Sequence, residues 1–383
     1  MSATVDVIVP VFDGVEQTRR CLESVRRSPQ RTAFELVLVD DATPRREIAG
    51  LLDALAREGG VTLLRNSANE GFVRSVNRGM ALHPDRDVVL LNSDTEVAND
   101  WLDRLSAAAQ SAADIGTATP FSNNATICSY PYEGWNRGVP GGLGLAGLDR
   151  AAADANRGQR APIPTAVGFC MYIRRACLEQ VGAFDAERFG RGYGEENDFC
   201  LRASAAGWRH VLAADVFVYH EGAVSFSEGR AERLAKAAAT LLDRHPGYTA
   251  LIQDFIRRDS LAELRARIDR ARAAAGVAEA AEVLRERDAE RSYIRARGEA
   301  ADDEREALRR GLAEATAIVA ERSARLAARD RDVDERDAEI ARLHAGLDEA
   351  SALAVERLKE LQRIQQLPLW RVYRRLVDRR RNG

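Results

Sequence analysis

Asp87-Val88-Val89-Leu90-Leu91-Asn92-Ser93-Asp94 joins a strand-like run to a polar step, and its reading decides the fold. Val88–Leu91 is a continuous apolar stretch of the kind buried on both faces of a sheet. The polar trio falls where that strand should end. In an open parallel sheet, ligands collect in the crevice beyond the carboxyl ends of the strands. A carboxylate there, Asp94, is well placed to hold a hard cation against a phosphate. The competing reading is that Asp94 caps a helix beginning near Asn99. The neighbouring strand ends decide between the two.

Three earlier runs repeat the pattern. Val5–Val11 leads to a helix from about Glu16 to Arg27. Glu35–Val39 ends in Asp40-Asp41 and leads to a helix through Ile48 and Leu55. Val61–Leu64 ends in Arg65-Asn66, and Asn69-Glu70-Gly71-Phe72 opens a helix carrying Val76 and Met80. This β-α alternation predicts an α/β fold, a mostly parallel sheet with helices on both faces. Acids and amides then line one rim of it. The turn Phe12–Gln17 lacks G-x-G-x-x-G, and no G-x-x-x-x-G-K-[ST] loop occurs, so the rim should reach phosphates through a metal.

A second set of polar residues lies about 100 positions on. Ala166–Ile173 reads as a strand, Arg175–Val181 as a helix, and Gly182-Ala183-Phe184-Asp185 as its break. Gly192-Tyr193-Gly194 then runs into Glu195-Glu196-Asn197-Asp198 at the start of another helix. Acids in a first turn also serve the helix dipole. Helical phase puts Glu195, Asp198 and Arg202 on one face, and Glu196 with Phe199, Cys200 and Ala203 on another. Glu196 is therefore expected to be the less solvated glutamate, with a pKa raised toward the range of a base. Val216–His220 reads as a short strand ending in a histidine, a structural group or a metal ligand. Phe121–Pro164 shows few strand or helix signals and reads as a flap or a plain surface loop, with Trp135 or Tyr132 available to stack on a sugar.

Taken together, these residues resemble the inverting nucleotide-sugar glycosyltransferases of family 2, which have the GT-A fold. The resemblance runs from Val5 to about Pro246 and rests on several short pieces in a fixed order. They are Ile8–Phe12, Val39-Asp40-Asp41, Asn69–Phe72 with Asn77 and Gly79, Leu91–Asp94, Gly182–Asp185, Gly194–Asp198 and Tyr219-His220. It implies that Asp40 or Asp41 meets the nucleotide base or ribose. Asn69 and Asn77 would shape the nucleotide pocket, with Pro10, Gly71 and Asn92 beside them. Asp94 would bind Mg²⁺ or Mn²⁺ at the diphosphate, with His220 as a second ligand. The acidic cluster would supply the base, by position Glu196, with Glu195 and Asp198 as the other candidates. Two departures stand out: the first acid of the family's D-x-D element is Asn92, and the usual aspartate base is a glutamate. The implied reaction is transfer of a hexosyl or deoxyhexosyl group from a nucleotide-sugar to a hydroxyl of a surface-glycan or lipid-linked acceptor. The alternative is a noncatalytic nucleotide- or glycan-binding scaffold assembled through its C-terminal helix.

That helix is a different material. From Ser260 onward, 27 Lys/Arg and 25 Asp/Glu stand among 124 residues, against 29 and 34 in the first 259. Three regions follow: a glycosyltransferase-like domain over 1–259, a charged helical or coiled-coil region over 260–365, and a basic amphipathic tail over 366–383. Leu312, Val319, Leu326, Val333, Ile340, Leu347, Ala354 and Leu361 recur every seventh residue and suit helix pairing. The companion column carries Arg322, Arg329, Arg336 and Arg357, which weakens the seam. A loose homo-oligomer or a charged single helix is expected. In the tail, Trp370, Tyr373 and aliphatic residues alternate with arginines, as suits contact with an anionic membrane surface, or simply a solvated basic end. A net charge of −3 without another basic patch argues against nucleic-acid binding. No signal peptide precedes the first strand, no run is long enough to span a bilayer, and the five cysteines lack a C-x-x-C pair. A cytoplasmic protein with packed, reduced thiols is expected, peripheral at the inner face of the membrane if the tail binds there.

Overall fold

The computed structural model describes residues 4–222 and 230–366. Within them, nine strands form one sheet: β1 (Val5–Val11), β2 (Phe34–Asp40), β3 (Val61–Arg65), β4 (Val88–Leu91), β5 (Thr95–Glu96), β6 (Ile115–Ser122), β7 (Arg160–Ile163), β8 (Cys170–Ile173) and β9 (Arg209–His220). Their order is β3-β2-β1-β4-β8-β6-β9-β5, with β7 also paired to β9. β3, β2, β1 and β4 are mutually parallel, and β6 is parallel to β9. β8 runs antiparallel between β4 and β6, while β5 and β7 run antiparallel to β9. Six of the nine strands thus point one way, and their carboxyl ends share a rim.

The period-two alternation of each strand explains the two packed faces. Val7, Val9, Leu36, Leu38, Val89 and Leu91 enter one buried cluster; Ile8, Val37, Val39, Val88 and Leu90 enter the other. Helices cover both faces, so strand residues facing either way are apolar. Gly79 marks the closest approach: a Cβ there would lie 2.6 Å from Ile8 Cγ2, so the Phe72–Met80 helix can press directly onto β1. All five cysteines are buried and unpaired, packed as expected.

Segment 121–164 is more regular than its composition suggests. It contains a 3₁₀ turn at Thr126–Cys128, a helix at Gly144–Ala155 and strand β7. The helix is carried by Leu145, Leu148 and Ala152, a periodicity masked by the glycines at 144 and 147. Tyr132 packs edge-on against Trp135 at 5.6 Å and lies 5.8 Å from Tyr293, between ring centroids.

The C-terminal third is helical: Tyr248–Arg258, Ala262–Ala274 and then Val277–Gln366. Composition changes at Ser260, but packing changes later, the first compact unit running to Ile294. The reason is a buried polar cluster. The fully buried Arg272 guanidinium donates to Glu279 at 2.6 Å, to Glu286 at 2.6 and 2.9 Å, and to the Tyr130 hydroxyl at 2.9 Å. Within the second unit, the seven-residue column is solvent-facing, with Leu312 69 % and Leu347 66 % exposed. Among the described residues, no helix is long and apolar enough to cross a membrane. The basic tail from residue 367 lies outside the described residues.

Candidate active site

A cavity of about 300 Å³ opens where the carboxyl ends of β1, β2 and β4 meet the start of the Glu195–Ala205 helix. Eight of the twelve residues singled out in the sequence line it: Pro10, Asp41, Asn69, Asn92, Asp94, Glu195, Glu196 and His220. The two polar sets, 100 residues apart in the chain, share one cleft. β8 brings them together, because the Asn92 N–H donates to Phe169 C=O at 2.9 Å and ties the end of β4 to the segment leading into β8.

The other four lie behind the wall. Asp40 accepts from Thr43 N–H at 2.8 Å and pairs with Arg65 at 3.2 Å, so of the two aspartates only Asp41 borders the cavity. Asp41 accepts from Asn66 Nδ2, Glu70 N–H and Gly71 N–H, each at 2.8 Å, which shapes the loop beneath Asn69. Gly71 has φ +86°, and a Cβ there would meet the Arg191 backbone at 2.8 Å. Asn77 exchanges hydrogen bonds with Phe184, its Nδ2 donating at 2.8 Å and its Oδ1 accepting at 3.1 Å, and so anchors the turn after residue 182. Asp198 is fully buried among Arg202 at 2.8 Å, His245 at 2.8 Å and Arg244 at 3.2 Å, away from the cavity.

Asp94 and His220 meet because β5 pairs with β9, setting Thr95 opposite His220. The His220 ring stacks on Phe169, 5.2 Å between centroids at 14°. Its Nδ1–H donates to Asn124 C=O at 2.7 Å, which leaves Nε2 facing Asp94 Oδ1 at 3.5 Å. A neutral imidazole in this tautomer confronts a carboxylate lone pair with its own lone pair. The arrangement calls for a proton or a cation between them. Burial opposes ionisation of Asp94, but His220 and the Gly222 N–H hold its carboxyl below the usual range. Burial likewise disfavours the imidazolium, yet Asp94 holds the His220 pKa above its ordinary value.

Glu195 and Glu196 sit in the first turn after Gly194, at φ +86°. Glu195, 4 % exposed, is the more buried of the two, reversing the order expected from helical phase. Both glutamates line the cavity, Glu196 with the larger exposed surface. Burial raises both pKa values; the neighbouring Glu196 charge raises Glu195 further, while backbone N–H groups and Asn197 temper the shift at Glu196. One carboxyl oxygen of each, Oε2, is buried without a hydrogen-bond partner. Such atoms cost stability unless something binds there.

Residues 6–182 match the family model described as Glycosyl transferase family 2. Over that stretch, a little under half of its length, the chain is similar to the family 2 glycosyltransferases. It is similar to N-acetylglucosaminyl-diphospho-decaprenol L-rhamnosyltransferase of Mycobacterium tuberculosis, 27 % identical over 290 residues that cover 68 % of this chain and 92 % of the relative. A putative polypeptide N-acetylgalactosaminyltransferase 13 of Drosophila melanogaster is 35 % identical over 117 residues; the match covers 27 % of this chain and only 21 % of that protein's length. Among solved structures, mannosyltransferase PcManGT from Pyrobaculum calidifontis, in complex with GDP-Man and Mn²⁺, matches at 18 % identity and a TM-score of 0.48, covering 76 % of this chain and 80 % of the other.

The first compact unit also contains features that patterning along the chain missed. Asn123, Asn124 and Phe169 hold His220, though none stands in a strand-end acid pattern. Asp6, Glu35 and His83 gather at the opposite end of β1 from Pro10. Arg86 already bridges Asp6 at 3.0 Å and Glu35 at 2.7 Å, so this group is an ion-pair cluster, separate from the cavity. Tyr132 and Trp135, expected to stack on a sugar, do not line the cavity. Their rings are spent on each other and on Tyr293.

Proposed function

We propose that this family 2 enzyme transfers a hexosyl or deoxyhexosyl unit from a nucleotide-sugar to a glycan or lipid-linked hydroxyl, inverting the anomeric carbon with the help of Mg²⁺ or Mn²⁺. One observation carries the reading. A single cavity joins the Asp94–His220 pair, 3.5 Å apart, to two glutamates of raised pKa with unpartnered oxygens. A lipid-linked acceptor is favoured because the relative spanned nearly end to end is named for a diphospho-decaprenol substrate.

Asp94 and His220 offer one oxygen and one nitrogen, a donor set that would hold Mg²⁺ or Mn²⁺. When bound, the cation supplies Lewis-acid stabilisation of the departing nucleoside diphosphate. Asp41 and Asn69 border the nucleotide, and Pro10 forms the floor at the end of β1. At the other end, Glu196 takes the proton of the acceptor hydroxyl as its oxygen attacks the anomeric carbon. Glu195, the more deeply buried of the two, keeps the pair from ionising twice, so the single negative charge resides on Glu196. A direct displacement of this kind requires no covalent enzyme intermediate.

Thermal shift against a panel of nucleotide-sugars tests the donor assignment. At saturation near 100 Kd, the cognate donor with Mn²⁺ adds about 2.7 kcal/mol of stability, seen as a rise in melting temperature. A panel of UDP-, GDP- and dTDP-sugars that leaves the melting temperature unmoved overturns it.

The exposed column on the Val277–Gln366 helix is assigned to a second copy of this chain. In a parallel, in-register pair, Arg329 and Arg336 each lie beside the partner's acidic step, Asp330 and Asp337, which offsets the charge in the seam. Sedimentation should give a dimer that Leu326→Asp with Ile340→Asp converts to a monomer. A monomeric unmodified protein would refute the pairing.

A further inference from the structure

We infer that Asn123 is a positioning residue for the Asp94–His220 pair, resting on the proposal that this pair holds a divalent cation. The parallel ladder between β6 and β9 ends at Ser122 opposite Val218. Beyond that point, His220 has no strand on its β6 side. Asn123 replaces it with a side chain. Its Oδ1 accepts the His220 N–H at 2.8 Å, and its Nδ2 donates to His220 C=O at 2.9 Å and to Arg137 C=O at 2.8 Å. The carboxamide is 1 % exposed and leaves neither N–H unused.

The next residue completes the grip. Asn124 C=O takes the ring Nδ1–H, so residues 123 and 124 fix the backbone and the tautomer of the same histidine. Phe169 sets the ring plane from one face. With three restraints of different kind, Nε2 has one direction left, toward Asp94. A ligand held this way loses little rotational freedom when a cation arrives, and second partners of metal-binding histidines are worth about 10–100-fold in affinity. Asn123 touches neither donor nor acceptor in this arrangement; it acts through His220.

The experiment is Mn²⁺ uptake followed by the EPR signal of the free ion, on the full chain without nucleotide. Asn123→Ala removes these three hydrogen bonds and a fourth, accepted from the Ser122 hydroxyl at 3.3 Å. Asn123→Asp keeps the volume but turns the donor edge into an acceptor facing two carbonyls. Both should weaken Mn²⁺ binding about 10-fold or more, with the melting profile still cooperative. In a His220→Ala background, adding Asn123→Ala should cause no further loss, because both changes remove one contribution. Unchanged affinity in both variants, or an equal additional loss without His220, overturns the assignment while leaving the metal reading intact. Absence of Mn²⁺ uptake by the unmodified protein overturns the metal reading itself and this inference with it. If both variants fail to fold, Asn123 serves the fold generally and the assignment falls.

Discussion

Glu196→Gln lowers glycosyl transfer by about 10²–10⁴-fold while donor binding stays within a few-fold, as expected when a positioned base is removed. The amide keeps the shape of the side chain, so the nucleotide end of the cavity is undisturbed. A noncatalytic scaffold would show no turnover to lose, which separates the two readings of the chain. Glu195→Gln should act differently. Glu195 is the neutral partner of the pair, and the amide imitates its protonated carboxyl, so activity should survive better and the acid limb set by Glu196 should stay in place. If Glu195→Gln is the silent-enzyme variant and Glu196→Gln is active, the base has been assigned to the wrong member of the pair.

The same pair makes a stability prediction with a definite sign. A carboxyl whose pKa is raised on folding binds more protons in the native than in the unfolded state, so it destabilises the fold as pH rises above the ordinary glutamate range. The loss is complete once pH passes the raised value. Glu195→Gln should therefore melt higher than the unmodified protein at neutral pH, with the two curves converging near pH 4. Higher stability in the amide variant is the signature of a buried carboxyl kept at a site for its chemistry. Equal melting temperatures across pH 4–8 would argue that Glu195 is not held in the buried, partnerless state described.

Asp94→Ala is the second large effect. Removing the one carboxylate at this end leaves His220 as a lone neutral ligand, and transfer should fall about 10³-fold, in line with a loss of several kcal/mol of charge stabilisation. Chelation of the unmodified protein should reproduce the loss, and excess Mn²⁺ should restore the unmodified protein but not the variant. Activity indifferent to both chelator and Asp94→Ala would remove the cation from the mechanism. Asn92→Asp is a useful companion, since it restores a second carboxylate beside Asp94 on the same strand end.

The parallel half of the sheet was legible because each strand there is a short apolar run followed by a polar break and an amphipathic helix. β1 to β4 and their helices follow that rule, and so did the placing of Asp41, Asn69 and Asp94 on one rim. β6 was not legible: Ile115-Gly116-Thr117-Ala118-Thr119-Pro120 contains small and breaking residues, and only its neighbours β8 and β9 make it a strand. The depth order of Glu195 and Glu196 was misjudged for a related reason. Helical phase reports which side chains share a face, but not which face a cavity opens on. Asn123 could not be found from chemistry along the chain, since its partners include backbone groups 14 and 97 residues away.

The Arg272 cluster bears on how much polypeptide this catalytic body requires. Cutting the gene at the compositional change, after Asp259, would remove Arg272 together with Glu279 and Glu286, and would strip Ile268 from the core. The Tyr130 ring, wedged against Phe121 and Phe217, would then present its hydroxyl to nothing. A self-sufficient fragment must keep the opening turns of the last helix, through Ile294, so what composition marks as appendage begins as a buttress.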